Sequence, residues 1–84
     1  MLLANVNSSV NLSGTVYYNN SGQPVASAKV FVRELNKSMQ ADINGRYSID
    51  LSQGDYTLIA STDEISGFPK TVSVDKTKEV DLTI

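Results

Sequence analysis

Apolar residues in this chain recur with a period of two. Val10, Leu12, Val16 and Tyr18 alternate with Asn11, Ser13, Thr15 and Tyr17, and Gly14 takes an inward place in the series. Successive side chains of an extended strand point to opposite faces, so this alternation predicts a first strand over 10–18 with one buried face. A glycine inside it marks a bulge or the close approach of another backbone. Ala28, Val30 and Val32 alternate with Lys29, Phe31 and Arg33, which predicts a second strand over 27–35. A short strand is expected near 39–41. Over 45–51, Tyr47, Ile49 and Leu51 share one face, and Arg46, Ser48 and Asp50 the other. Tyr56, Leu58 and Ala60 then alternate with Thr57, Ile59 and Ser61. Val72 and Val74 follow, and Val80, Leu82 and Ile84 form a last strand. No segment carries a helical apolar stripe over even three turns.

Turn chemistry separates these runs. Asn19-Asn20-Ser21-Gly22-Gln23-Pro24 is a dense turn cluster. Asp42-Ile43-Asn44-Gly45 is the sharpest signal, because Asn-Gly between two runs favours a type I′ hairpin turn with positive φ at both central residues. Ser52-Gln53-Gly54-Asp55 and Asp75-Lys76-Thr77-Lys78 are further turns, and 62–67 is a longer loop. Pro69 cannot donate to a ladder and suits a strand start or a sheet edge. Short strands with turn signals every 8–12 residues are the pattern of a β-sandwich or barrel. The expectation is an all-β, seven-stranded Greek-key sandwich.

Length and composition narrow the function classes. Eighty-four residues allow one domain with a small core and shallow surface sites. A net stability of roughly 4–12 kcal/mol is expected at this size. Seven basic against nine acidic residues give a net charge of −2, and only Lys76 and Lys78 among the basic residues lie close together. Nucleic-acid binding needs a concentrated positive surface and is not expected. Cysteine and histidine are both absent. That removes disulfides and thiolate chemistry, as well as the commonest general base and the commonest metal ligand. Met1-Leu2-Leu3-Ala4-Asn5 is too short an apolar run for a signal peptide, and no run approaches a membrane helix. Residues 1–9 read as a linker or appended N-terminal segment before a domain over 10–84. Any export signal would be encoded elsewhere, and no direct membrane insertion is expected.

The ordered set Leu12-Ser13-Gly14-Thr15-Val16, Gly22-Gln23-Pro24-Val25, Ala28-Lys29-Val30-Phe31-Val32, Asp42-Ile43-Asn44-Gly45-Arg46-Tyr47-Ser48-Ile49, Gly54-Asp55-Tyr56-Thr57-Leu58 and the closing Val72-Ser73-Val74 with Lys78 to Ile84 resembles the carboxypeptidase regulatory-like family. That resemblance implies a transthyretin-like Greek-key sandwich over about 11–84. It implies a non-catalytic module appended to a larger protein, extracellular or at the cell surface, serving as a spacer, a support for neighbouring domains, or sometimes a sugar-binding unit. A second likeness, to collagen-adhesin B-type domains, lies in Tyr56-Thr57-Leu58-Ile59-Ala60 and Gly67-Phe68-Pro69. Such domains often carry a Lys–Asn isopeptide bond promoted by an acid. Ala60 stands at the acid's place and no Asn follows Asn44, so no such bond is expected.

Candidate sites are few, and each has a plain structural alternative. The serines sit in strands and turns without a nucleophile elbow. Asp63-Glu64 is the one adjacent acidic pair, and adjacent residues on extended chain point apart, as in a solvated loop. Neither catalysis nor a cofactor is expected. Asp42-x-Asn44-Gly45 resembles the opening of a calcium loop, but the twelfth position is Gln53. A turn in which Asp42 bonds local N–H groups is the expected reading. Asp63, Glu64 and Asp75 could share one end of the sandwich and hold calcium weakly there. Parity turns Tyr17, Phe31 and Ile59 outward, as a candidate contact surface for a neighbouring domain or a stacking platform for polysaccharide. Solvent-face cross-strand pairing is the alternative. A sugar-binding module would also use Asn19, Asn20 and Asp63. Tyr47 and Tyr56 have inward parity and are expected in the core or at a corner. Asn-x-Ser patterns begin at Asn7, Asn11, Asn19 and Asn36.

Overall fold

The computed structural model describes residues 9–84. The expected linker therefore lies outside the described residues, apart from Ser9, which opens the first strand. Eight strands form two sheets: β1 Ser9–Tyr17, β2 Lys29–Val32, β3 Lys37–Gln40, β4 Arg46–Ser52, β5 Gly54–Ser61, β6 Lys70–Val74, β7 Lys78–Glu79 and β8 Leu82–Thr83. One sheet has the order β4-β1-β7, with β8 also on β1. The other has the order β3-β2-β5-β6. The eighth strand arises because the last strand starts earlier than expected, at Lys78 within the expected turn, and is interrupted before Leu82. β7 pairs parallel to β1 at Leu12↔Lys78 and Ser13↔Glu79. β8 does so at Val16↔Leu82 and Tyr17↔Thr83. The offset is the same on both sides, so this is one strand interrupted at Val80–Asp81.

The core is the inward face read from the alternation. Leu12, Val16, Val30, Val32 and Leu58 are fully buried, with Ala60, Leu51, Val72, Val74 and Leu82 around them. Tyr47 and Tyr56 are buried as their parity requires. The Tyr56 hydroxyl donates to the Ser52 carbonyl at 2.8 Å and ties together the turn between β4 and β5.

Gly14 explains the interrupted strand. β1 contains no bulge, since its pairing with β4 runs unbroken from Ser9↔Ser52 to Thr15↔Arg46. The anomaly sits on the partner strand. Val80 N–H donates to the Ser13 carbonyl at 2.7 Å. The Val80 carbonyl is turned into the space a side chain at position 14 would fill. A Cβ there would stand 2.6 Å from the Val80 carbonyl carbon, closer still to its oxygen, and 3.0 Å from the Tyr47 ring. The Tyr47 hydroxyl donates to that same carbonyl. Burial pushes the phenol far above its ordinary pKa, and the nearby Asp81 and Glu79 charges add to this, so Tyr47 stays a donor. With the Val80 carbonyl diverted, Thr15 N–H takes the Asp81 carboxylate at 3.0 Å.

A second carboxylate does the same work in the other sheet. The second strand stops at Val32, short of the expected residue 35, and Arg33–Leu35 forms a 3₁₀ turn. Asn36 follows at φ 52°, a left-handed conformation that asparagine tolerates, and turns the chain into β3. Glu34 then accepts from Thr57 N–H at 2.7 Å and from the Thr57 hydroxyl at 2.8 Å, continuing by side chain the ladder that β2 abandoned. Among the described residues, Thr15 and Thr57 are the two buried polar ones, and each has its N–H held by a carboxylate.

The Asn-Gly turn differs from expectation. A type I′ turn needs positive φ at both central residues, and of this pair only Gly45 has it, at 78°. Gly45 N–H donates to the Asp42 carbonyl at 3.0 Å, while Asp42 Oδ1 accepts from Asn44 and Arg46 N–H at 2.8 and 2.9 Å. The turn does not close a hairpin, because β3 and β4 belong to different sheets. It carries the chain across the sandwich.

Three outcomes follow. Gly14→Ala expels the Val80 carbonyl and should cost about 2–4 kcal/mol, read as a melting temperature lower by about 10 °C or more. Tyr56→Ala should cost about 3–5 kcal/mol in urea unfolding. The third concerns pH. The bonds from Thr57 hold the Glu34 carboxyl below its ordinary pKa. A group depressed in the folded state contributes fully above its unfolded pKa and loses that contribution as pH falls through the folded value. The melting-temperature gap between the native chain and Glu34→Gln should therefore be widest near pH 7 and close below about pH 4. A gap independent of pH would contradict the role assigned to Glu34.

Candidate functional site

One end of the sandwich gathers the long connections. β1 and β5 finish there, β2 and β6 start there, and the chain's last residues lie alongside. The 62–67 loop is held by Thr62, whose N–H donates to the Ile65 carbonyl at 2.7 Å. Its hydroxyl accepts from Glu64 and Ile65 N–H at 3.2 and 3.1 Å. Gly67 N–H returns to the Ala60 carbonyl at 2.7 Å. Gly67 is required by close approach, since a Cβ there would lie 2.6 Å from the Thr83 carbonyl oxygen. The loop thus lies flat on β8, and the next residue, Phe68, projects into solvent at 92% exposure.

Phe68 flanks an open groove of about 460 Å³, lined also by Asn19, Asn20, Ile65, Thr83 and Ile84. Asn19 is fixed there by its N–H bond to the Ile84 carbonyl at 2.8 Å. Among the described residues, no charged side chain lines this groove. A second, more polar groove of about 600 Å³ lies on the other side of the loop, with Lys29, Gln40 and Asp63 among its walls.

The residues singled out from sequence fall in several places. Phe31 and Ile59 are directly opposite each other on β2 and β5 and half-buried. Tyr17 is half-buried in the other sheet, opposite Thr83, so it does not share a surface with them. Asn19 and Asn20 meet at the first groove, and Asp63 lines the second. Asp63 and Glu64 do not meet Asp75, because β6 carries the chain to the opposite end before Asp75. The idea that all three share one end is thus corrected. Asp42 is committed to its turn. Among the described residues, no three carboxylates come together as a metal site.

Sequence reasoning missed Phe68 and Ile65. The 62–69 segment has no alternation, so parity could not orient either. The usable signal was Gly67 before Phe68-Pro69, a close-packed residue followed by one that the preceding contact forces outward. The assembled groove offers one aromatic face, an aliphatic wall and neutral amides, which suits contact and recognition rather than bond-making.

The fold has clear relatives. Two DUF3823 family proteins of solved structure are similar to it. One, from Bacteroides ovatus, has a TM-score of 0.69 at 20% identity, covering 89% of this chain and 43% of the other. One from Parabacteroides merdae has a TM-score of 0.64 at 22% identity, covering 89% and 45%. This chain therefore spans less than half the length of either. No curated protein matches it. The CarboxypepD_reg-like domain family, whose members are non-catalytic, matches residues 12–84, and the chain belongs to that family.

Proposed function

We propose that this domain is an accessory module of a larger exported or cell-surface protein, and that it acts by packing against a neighbouring domain through the end bearing Phe68. The observation that carries this is the exposure of Phe68 at 92% beside Ile65 at 47%, on a loop pinned to β8. A large apolar side chain held out rigidly is costly in water and is repaid by a partner. The domain boundaries at 10–84 and the spacer role belong to the same reading.

A second reading is favoured by one specific feature. The amides of Asn19 and Asn20 stand in the same uncharged groove as the Phe68 ring. An aromatic face with neutral hydrogen-bonding groups suits a polysaccharide, bound weakly at a shallow site.

Phe68→Ser should leave the melting temperature of the 84-residue chain within about 1 °C, because an exposed side chain contributes little to its own fold. In the full-length parent protein the same change should lower the melting temperature clearly, through the lost domain contact. Equal effects in both settings would contradict the contact. Amide shifts at Asn19, Asn20 and Gly67 on adding millimolar neutral oligosaccharide would select the second reading instead.

A further inference from the structure

The four sheet edges are not treated alike. Free edges invite pairing with other chains, and proteins blunt them with short strands, interruptions, proline and lysine. β3 has four residues and follows a left-handed Asn36. β6 begins after Pro69, and the Lys78 ammonium occupies the Ser73 carbonyl at 2.6 Å. The β7–β8 edge is broken at Val80–Asp81, and Lys70 Nζ caps the Asp81 carbonyl at 3.2 Å. β4 is covered only at its two ends, by Asp42 on Arg46 and the Tyr56 hydroxyl on the Ser52 carbonyl. It runs seven residues, Arg46–Ser52, without lysine, proline, glycine or a break in register.

The groups that β4 presents can be read from its bonds. Val16 N–H donates to the Gly45 carbonyl, so position 45 faces β1. Arg46 accepts from Asp42 N–H at 2.9 Å and donates to Asp42 Oδ1, so its backbone groups face away from β1. In an antiparallel ladder this alternates, so the N–H and C=O of Ser48 and Asp50 also face outward. No described residue bonds them.

We propose that β4 is a self-association edge, pairing antiparallel with β4 of a second copy about a two-fold axis through Ile49. That axis pairs Tyr47–Leu51, while Arg46 and Ser52 at the two ends of β4 keep their bonds to Asp42 and Tyr56. It places Ser48 opposite the second copy's Asp50, and Asp50 opposite its Ser48, as two hydrogen-bonded pairs that exchange four N–H···O bonds. The buried faces also match, with Ile49 against its own copy and Tyr47 against Leu51. Shifting the axis to Asp50 would set two carboxylates opposite each other, which is repulsive. Shifting it to Ser48 would require Arg46 groups already used by Asp42. The self-complementary order of β4 thus selects a second copy as occupant, in an isologous contact that closes at two. β4 and β8 lie on opposite sides of β1, so this association uses a different edge from the domain contact proposed above.

The test is sedimentation equilibrium of the 84-residue chain from about 10 µM to about 1 mM, a range suited to a small interface. The average mass should rise from 9.1 kDa toward twice that value. Ser48→Asp sets carboxylates against the second copy's Asp50 at both ends and should weaken association at least about tenfold. Ser48→Lys sets ammonium groups there and should preserve or strengthen it. Ser48 is exposed, so both variants should fold, and a thermal melt of each is the check. A chain that stays monomeric throughout, or a dimer that responds alike to both substitutions, would overturn the proposal. So would a monomer whose Ser48 and Asp50 amides are protected from exchange independently of concentration, since the edge would then be covered within the chain.

Discussion

The fold turns on where the Val80 carbonyl points. A parallel strand laid on β1 would ordinarily continue its ladder, yet at Val80 the carbonyl leaves it and enters the space over Gly14, where the buried Tyr47 hydroxyl meets it. Three residues distant in sequence are thereby interdependent. Gly14 supplies the vacancy, Tyr47 the donor and Val80 the acceptor. A buried carbonyl without a partner is costly, so the diversion is tolerable only because Tyr47 is there and stays protonated. The benefit is closure, since Leu82 reaches the core and the C-terminal residues form the floor of the Phe68 groove.

The two carboxylates that replace ladder carbonyls extend the same logic. Asp81 answers Thr15 where the last strand breaks, and Glu34 answers Thr57 where β2 ends early. Charge-assisted bonds to backbone N–H groups are stronger than neutral ones, so short strands can be interrupted without orphaning buried donors. The break at Val80–Asp81 blunts one sheet edge, and the early end of β2 keeps β3 short at another. They leave β4, whose regular pairing with β1 needs no repair, as the long and regular edge.

The alternation of apolar residues carried most of the architecture. Leu12, Val30, Val32, Leu58, Val72 and Leu82 all lie inward as their parity requires. Gly14 announced a bulge or a close approach, though not which of the two or which backbone would approach. What could not be read were features set by tertiary contact. Arg33 continues the polar–apolar rhythm of the second strand and Glu34 breaks it at an inward position, yet the sequence does not say that Glu34 finds Thr57, a residue 23 positions away. Asn44-Gly45 favours a two-residue hairpin locally, yet it spans two sheets and is shaped by the Asp42 side chain. Phe68 sits in a segment without periodicity, so its exposure became visible only once Gly67 was placed on β8.

Native-state hydrogen exchange at Val80 and Thr15 tests the closure most directly. Their N–H groups bond the Ser13 carbonyl and the Asp81 carboxylate on either side of the diverted carbonyl. If that junction holds the sandwich shut, both amides should exchange only through global unfolding, with the same denaturant dependence as the core amides of Val30 and Leu58. If the last strand frays independently, Val80 and Thr15 would exchange far faster than the core and with little denaturant dependence. That result would contradict the Gly14–Val80–Tyr47 junction as the constraint on which the fold depends.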